Sequence, residues 1–138
     1  LRNLPFRAYA MNAAWLELFR GGASATALDW ARRAVDQERE PQRNHASLNT
    51  LAAVYAALDR PAEAREIFLR SLGEARPLTG ADWFVSGRIA EGWGLTEAAR
   101  LAYARVKAEE VDGAPDPTDA RILAERRLAA LTPAPAKP

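Results

Sequence analysis

The chain has 138 residues, of which 49% are apolar and 27% are charged, and this balance is typical of one soluble globular domain. Its 19 basic and 18 acidic residues are interleaved, which argues against a broad basic surface for nucleic acid. The absence of cysteine excludes disulfides and thiolate metal sites, and no apolar run approaches the roughly 20 residues that cross a bilayer. Nucleic-acid binding and membrane insertion by this segment are therefore not expected.

The first two predicted helices form a hairpin over about residues 5–37. The earlier helix carries an apolar stripe at three- and four-residue steps and ends at the Gly21-Gly22 pair, because glycine favours the backbone of a helix C-terminus. The later helix begins near Thr26, where a hydroxyl followed three residues on by Asp29 has the spacing of a capping box. Its alanine-rich stripe is expected to cover the stripe of its partner.

A second hairpin is predicted over about residues 43–73. Leu48, Leu51 and Tyr55 recur at helical spacing, which indicates a half-buried helix. The helical pattern ends at Asp59. Pro61 suits the first turn of the next helix, where its missing amide is not needed.

A third hairpin is predicted over about residues 79–109. Thr79 with Asp82 repeats the capping-box spacing at its start, and Gly92 and Gly94 separate its two helices. A further helix is predicted over about residues 116–131, where it would cap the apolar face of the third hairpin. Residues 1–131 thus form one predicted domain, and the Pro/Ala-rich stretch 132–138 follows it as a tail.

The three hairpins repeat one apolar pattern at a nearly constant spacing. A step of 34 residues takes Leu51 to Val85, and a step of 37 residues back takes Leu51 to Ala14. A 35-residue step forward also fits, and it would instead match Trp83, Gly87, Gly94, Ala99 and Tyr103 to the pattern. Both registers of the third hairpin stay open. Because a helical hairpin cannot bury its own apolar face, this repetition predicts hairpins that stack on one another.

The second hairpin resembles the tetratricopeptide repeat (TPR) family, whose 34-residue unit has small residues where its two helices cross. The residues that carry the resemblance are Leu48, Leu51, Ala52, Tyr55, Ala64, Phe68, Ser71 and Pro77. The resemblance covers roughly residues 6–109. It implies an all-α fold, a right-handed solenoid of about three TPR-like hairpins plus a C-terminal capping helix, with about seven helices. A non-repetitive helical bundle is the alternative.

Proteins of this family present a groove lined by the first helix of each hairpin, so the resemblance implies a binding site on those helices. The candidate groove residues are Asn12, Leu16, Asn49, Ala53, Trp83, Phe84 and Arg88. Asn12 and Asn49 are one 37-residue step apart, and an asparagine amide can both donate to and accept from a peptide backbone. The alternative is that both are solvent-facing polar residues without a ligand.

The sequence indicates no catalytic site. His45 is the only histidine, and no carboxylate is spaced to orient it. A metal site is not expected from one histidine without cysteine. The glycine pairs lack the lysine and serine that a phosphate-binding loop needs, so no cofactor is expected either.

The expected function is a protein–protein interaction or scaffold module that binds a peptide or protein segment. The alternative is a structural or self-association appendage of a larger enzyme or regulator, which would contact other domains of its parent or a second copy of itself. The start at Leu1 favours excision from a longer protein, and the heavy use of alanine and arginine suggests a bacterial source. The compartment is not predicted.

Overall fold

Seven α-helices joined by turns account for most of the part of the chain that the structure describes. The structure is a computed structural model, and it describes residues 6–38, 44–73, 78–106, 110–111, 114–115 and 120–131. The helices are α1 (Phe6–Phe19), α2 (Ala25–Gln37), α3 (Asn44–Ala57), α4 (Pro61–Ser71), α5 (Gly80–Gly92), α6 (Thr96–Ala104) and α7 (Ala120–Leu131). Two short strands, β1 (Glu110–Val111) and β2 (Ala114–Pro115), pair antiparallel between α6 and α7. The predicted all-α class is confirmed, whereas the predicted tail at 132–138 lies outside the described residues.

The helices pack in a repeating order. The pairs α1 with α2, α3 with α4, and α5 with α6 form three hairpins. The second helix of each hairpin also packs on the next helix in the chain, so α2 contacts α3, α4 contacts α5 and α6 contacts α7. The first helices contact one another in the order α1, α3, α5 and α7. These four helices therefore form one layer, which we call the inner layer.

The turns inside the three hairpins share one hydrogen-bond pattern. A residue with positive φ follows the first helix of each hairpin: Gly21, Asp59 and Gly94. The next amide then bonds to the carbonyl oxygen five residues back, from Gly22 to Glu17 (3.3 Å), from Arg60 to Tyr55 (3.0 Å) and from Leu95 to Ala90 (2.9 Å). This is the Schellman motif, in which a left-handed residue ends a helix and satisfies its last carbonyls. The same closure at 59 and 94 sets the second and third hairpins 35 residues apart.

Burial agrees with the 35-residue register rather than with the 34-residue one. A step of 35 residues relates Ala64 to Ala99, and both are fully buried, whereas the 34-residue step leads to the exposed Ala98. Gly87 lies against the ring of Tyr103, and a Cβ atom on Gly87 would come within 2.5 Å of that ring. The crossing of α5 and α6 therefore requires glycine.

Helix starts follow the predicted chemistry, with one shift. The capping box of α5 is present, since the Thr79 hydroxyl accepts from the Asp82 amide at 3.2 Å and the Asp82 carboxylate accepts from the Thr79 amide at 2.8 Å. The start of α2 was expected near Thr26, but Ser24 caps this helix and accepts from the Ala27 amide at 3.2 Å. Serine is an equally good cap, and its use adds residues to the start of α2.

Candidate functional site

The seven candidate groove residues occupy three separate places. Asn12 and Asn49 line one cavity. Ala53, Phe84 and Arg88 line a second cavity. Leu16 and Trp83 line neither: Leu16 is 46% exposed on α1, and the Trp83 ring lies 4.7 Å from the guanidinium carbon of Arg105. All seven residues therefore lie on helices of the inner layer, but they do not form one continuous site.

The first cavity, which we call the polar cavity, has a volume of about 320 Å³. It lies where the middle of α1 meets the N-terminal parts of α3, α5 and α7. Its lining residues are Met11, Asn12, Trp15, His45, Ala46, Asn49, Thr50, Thr79, Ala81, Asp82 and Ala120. This volume is at the lower end of the range for small-ligand pockets, so it suits one or two side chains of a bound segment.

Asn49 and Asp82 form a buried pair at the base of the polar cavity. They are 5% and 2% exposed, and the Asn49 amide nitrogen donates to a carboxylate oxygen of Asp82 at 3.0 Å. The other carboxylate oxygen closes the capping box of α5. Asp82 therefore joins α3 to the start of α5, and the Asn49 amide nitrogen is engaged within the protein. Asn12, by contrast, is exposed and reachable from solvent.

A row of aromatic rings separates the two cavities. The indole nitrogen of Trp15 donates to the Thr50 hydroxyl at 2.8 Å, which in turn donates to the Ala46 carbonyl at 2.9 Å. The Trp15 ring lies 6.1 Å from the ring of Phe84, and Phe84 lies 5.9 Å from Tyr103. These tilted contacts are in the favourable range for aromatic pairs. Because Trp15 lines the first cavity and Phe84 lines the second, this pair of rings lies between the two.

The second cavity, which we call the arginine cavity, has a volume of about 180 Å³. It lies where the C-terminal parts of α1, α3 and α5 face α7. Its lining residues are Leu18, Gly21, Gly22, Ala53, Ala57, Phe84, Arg88, Leu123, Arg126 and Arg127. Most of the other lining residues are apolar, and three arginines, Arg88, Arg126 and Arg127, contribute guanidinium groups.

Beside the arginine cavity, the carboxylate of Glu91 contacts three polar side chains. Arg127 of α7 forms a two-point ion pair with Glu91, in which its Nε lies 3.0 Å from one carboxylate oxygen. The Tyr103 hydroxyl donates to that oxygen at 2.8 Å, and Arg88 lies 3.5 Å from it. Burial opposes ionisation of Glu91, but the hydrogen bonds from Arg127 and Tyr103 and the charges of both arginines outweigh it and hold the pKa of Glu91 below its ordinary value. Burial, followed by the bond to Glu91, raises the pKa of Tyr103.

Arg126 ties α7 to the far end of the inner layer. Its guanidinium donates to the Phe19 carbonyl at 2.6 Å and lies 4.5 Å from the centre of the Phe19 ring. Phe19 is the last residue of α1, where unpaired carbonyls carry the negative end of the helix dipole. Consequently α7 reaches from the third hairpin back to the first. The sequence alone gives no signal for this contact, because arginines on a helix ordinarily indicate a solvated face.

Comparison with protein-family models, with curated proteins and with solved structures finds no match to this chain. Within the described ranges, no three histidine, aspartate or glutamate side chains group as metal ligands. In the same ranges, no helix combines the length and apolar character that a membrane span requires. The features that bear on function are therefore the two cavities and the exposed surface of the described residues.

Proposed function

We propose that this chain is a protein–protein interaction module with a TPR-like solenoid fold, and that it binds a segment of a partner protein at the polar cavity. The observation that carries the proposal is the meeting of the first helices of all three hairpins around one open cavity of about 320 Å³. A cavity shared between repeats is the usual place for a ligand in a stack of hairpins. No catalytic step is part of the proposal.

Two features support the solenoid part of the proposal. The Schellman turns at Asp59 and Gly94 recur after 35 residues with the same hydrogen bonds. The contacts of the inner layer also recur from one hairpin to the next. Repetition of both the turn and the packing is what distinguishes stacked repeats from an irregular bundle.

The lining of the polar cavity supports a peptide as its ligand. Asn12 offers an exposed amide that donates and accepts, and His45 offers a second polar group at the start of α3. Met11 and Trp15 supply apolar and aromatic surface on the α1 side. A mixed lining of this kind holds one side chain and hydrogen-bonds the backbone beside it.

The proposal can be tested with a phage-displayed library of random peptides. The wild-type chain is expected to retain a consistent peptide motif that the Asn12→Arg variant loses, because the larger cation enters the cavity. Gln37→Arg is the matched control, since Gln37 is also exposed, lies at the end of α2 and lines neither cavity. Asn49 and Phe84 are unsuitable for this test, because they are buried and their substitution would disturb folding. Failure to enrich any motif, or equal loss in both variants, contradicts the proposal.

Self-association is the second candidate function, and one observation favours it. Large apolar side chains are exposed in the third hairpin, where Trp93 and Leu95 stand in the turn and Leu101 is 66% exposed on α6. Exposed apolar patches often mark contacts between proteins, and tryptophan is enriched at the residues that contribute most to binding. Sedimentation velocity over a range of concentrations decides the matter: a dimer that Leu101→Glu disrupts supports self-association, and a monomer throughout rejects it.

A further inference from the structure

Helix α7 covers a surface that it does not fill. Ala120 lines the polar cavity and Leu123 lines the arginine cavity, so a single turn of α7 extends from one cavity to the other. The arginine cavity leaves about 180 Å³ empty beneath α7. We call the covered surface the α7 seat: the side chains of Leu18, Ala53, Phe84 and Glu91 and the carbonyl group of Phe19.

Polar contacts at three residues attach α7 to the rest of the protein. Arg126 bonds to the Phe19 carbonyl, and Arg127 pairs with Glu91. About one turn further on, Arg100 of α6 donates to the carbonyl of Leu131, the last residue of α7, at 2.6 Å. Only three residues of α7 are fully buried: Ala120, Leu123 and Ala124. In α3, ten consecutive residues from 47 to 56 are buried. The attachment of α7 therefore combines a small apolar contact with partly exposed cations, and another helix with the same apolar and basic positions can make the same contacts.

We propose that the α7 seat is a docking surface for an amphipathic helix of a partner protein and that α7 competes with this helix for the seat. The partner helix carries a large apolar residue, such as phenylalanine, at the position of Leu123 and two adjacent basic residues at the positions of Arg126 and Arg127. The basic residues meet Glu91 and the negative end of α1. The large residue enters the space that Leu123 leaves empty. This inference goes beyond the proposed function, because it concerns a different surface from the polar cavity.

The empty space also decides between a partner helix and α7 of a second copy. An exchanged α7 has the same Leu123 and leaves the same space unfilled, so it gains nothing over the helix already present. The attached α7 has the further advantage of a high effective concentration. Only a helix that fills the cavity better can displace it, and that helix belongs to a different protein.

A synthetic peptide with the sequence of residues 116–131, fluorescently labelled, provides the probe. One version carries Leu123→Phe and the other keeps leucine. In the full chain, Arg126→Ala with Arg127→Ala loosens α7 and frees its seat. We expect the phenylalanine peptide to bind this variant about tenfold more tightly than the wild type, because more molecules have an open seat. It should also bind more tightly than the leucine peptide. Arg33→Ala is the matched control, since Arg33 pairs with Asp29 on the surface of α2, and it should behave as the wild type.

Three outcomes overturn the proposal. The first is equal affinity of the phenylalanine peptide for the wild-type and loosened chains, both confirmed folded by circular dichroism. The second is equal affinity of both peptides for the loosened chain. The third is a loosened chain that sediments as a dimer, which assigns the seat to a second copy. If the double variant does not fold, Arg100→Ala loosens the last residue of α7 instead, and the same results are expected from it.

Discussion

Helix α3 and helix α7 belong to the same inner layer, yet different forces hold them. In α3 the buried residues surround the whole helix, and they include three alanines of the core, Ala52, Ala53 and Ala56, and the β-branched Val54. A helix that is apolar on all sides is stable only inside a core. In α7 only Ala120, Leu123 and Ala124 are buried, and Arg126 and Arg127 add polar contacts that reach across to other helices. The comparison teaches that the centre of the domain depends on close packing, whereas its last helix combines a small buried surface with charged contacts.

The largest effect should come from Asp82→Ala in the centre. This change removes the capping box of α5 and leaves the buried amide of Asn49 without its acceptor. We expect a loss of about 2 to 4 kcal/mol in the free energy of unfolding, measured by urea denaturation. Asp29→Ala is the control, because Asp29 is exposed on α2, and it should cost less than about 0.5 kcal/mol. Similar losses in the two variants would contradict the structural role of Asp82.

A smaller loss is expected from Gly87→Ala. The new methyl group would meet the Tyr103 ring at 2.5 Å, so α5 and α6 must move apart. Overpacking of this size costs about 1 to 3 kcal/mol. Gly22→Ala is the matched control, since nothing lies within 4 Å of a Cβ atom there and its φ is not positive. Thermal unfolding of both variants checks the prediction, and a Gly87→Ala protein as stable as the control would show that the crossing is not tight.

The smallest effect concerns α7 and depends on pH. The pKa of Glu91 is lowered from its ordinary value of 4.5, so the ionised form stabilises the fold. This stabilisation is fully present above about pH 4.5 and is lost as the pH falls through the lowered pKa. At pH 7 the wild type should exceed Glu91→Gln in stability by about 1 kcal/mol, and the difference should shrink below pH 4.5.

Urea denaturation at several pH values measures the difference in stability between the wild type and Glu91→Gln. Hydrogen exchange shows which helix is destabilised. The amides of α7 should exchange faster in Glu91→Gln, while those of α3 should not change. A stability difference that is independent of pH would show that the charge of Glu91 does not hold α7. Faster exchange throughout the protein would remove the distinction between the two helices.

Local signals in the sequence predicted the helices well. Glycine at 21 and 94 and the break at Asp59 mark the three turns, and Thr79 with Asp82 marks the start of α5. The register of the third hairpin could not be chosen from apolar spacing, because both steps place apolar residues on apolar residues. The turn geometry at Asp59 and Gly94 decides it.

The spacing of residues in the sequence did not predict the contacts between residues that are far apart in the chain. The 37-residue step brings Asn12 and Asn49 to one cavity, but it cannot reveal that Asp82 holds the amide of Asn49. The last helix was predicted from its apolar stripe and from a cap at Asp116, which lies outside the described residues. Its contact from Arg126 to Phe19 joins residues 107 positions apart, and no periodic pattern encodes such a pairing.

The position of α7 across the inner layer can be measured directly with two spin labels. The chain has no cysteine, so Arg20→Cys after α1 and Ala130→Cys in α7 allow specific labelling at exposed positions. Because Arg126 touches Phe19 and Ala130 lies one helical turn further, the account predicts one narrow distance of about 15 to 25 Å by electron spin resonance. A broad distribution, or a distance beyond about 35 Å, would mean that α7 does not lie across the first helices, and it would contradict the account.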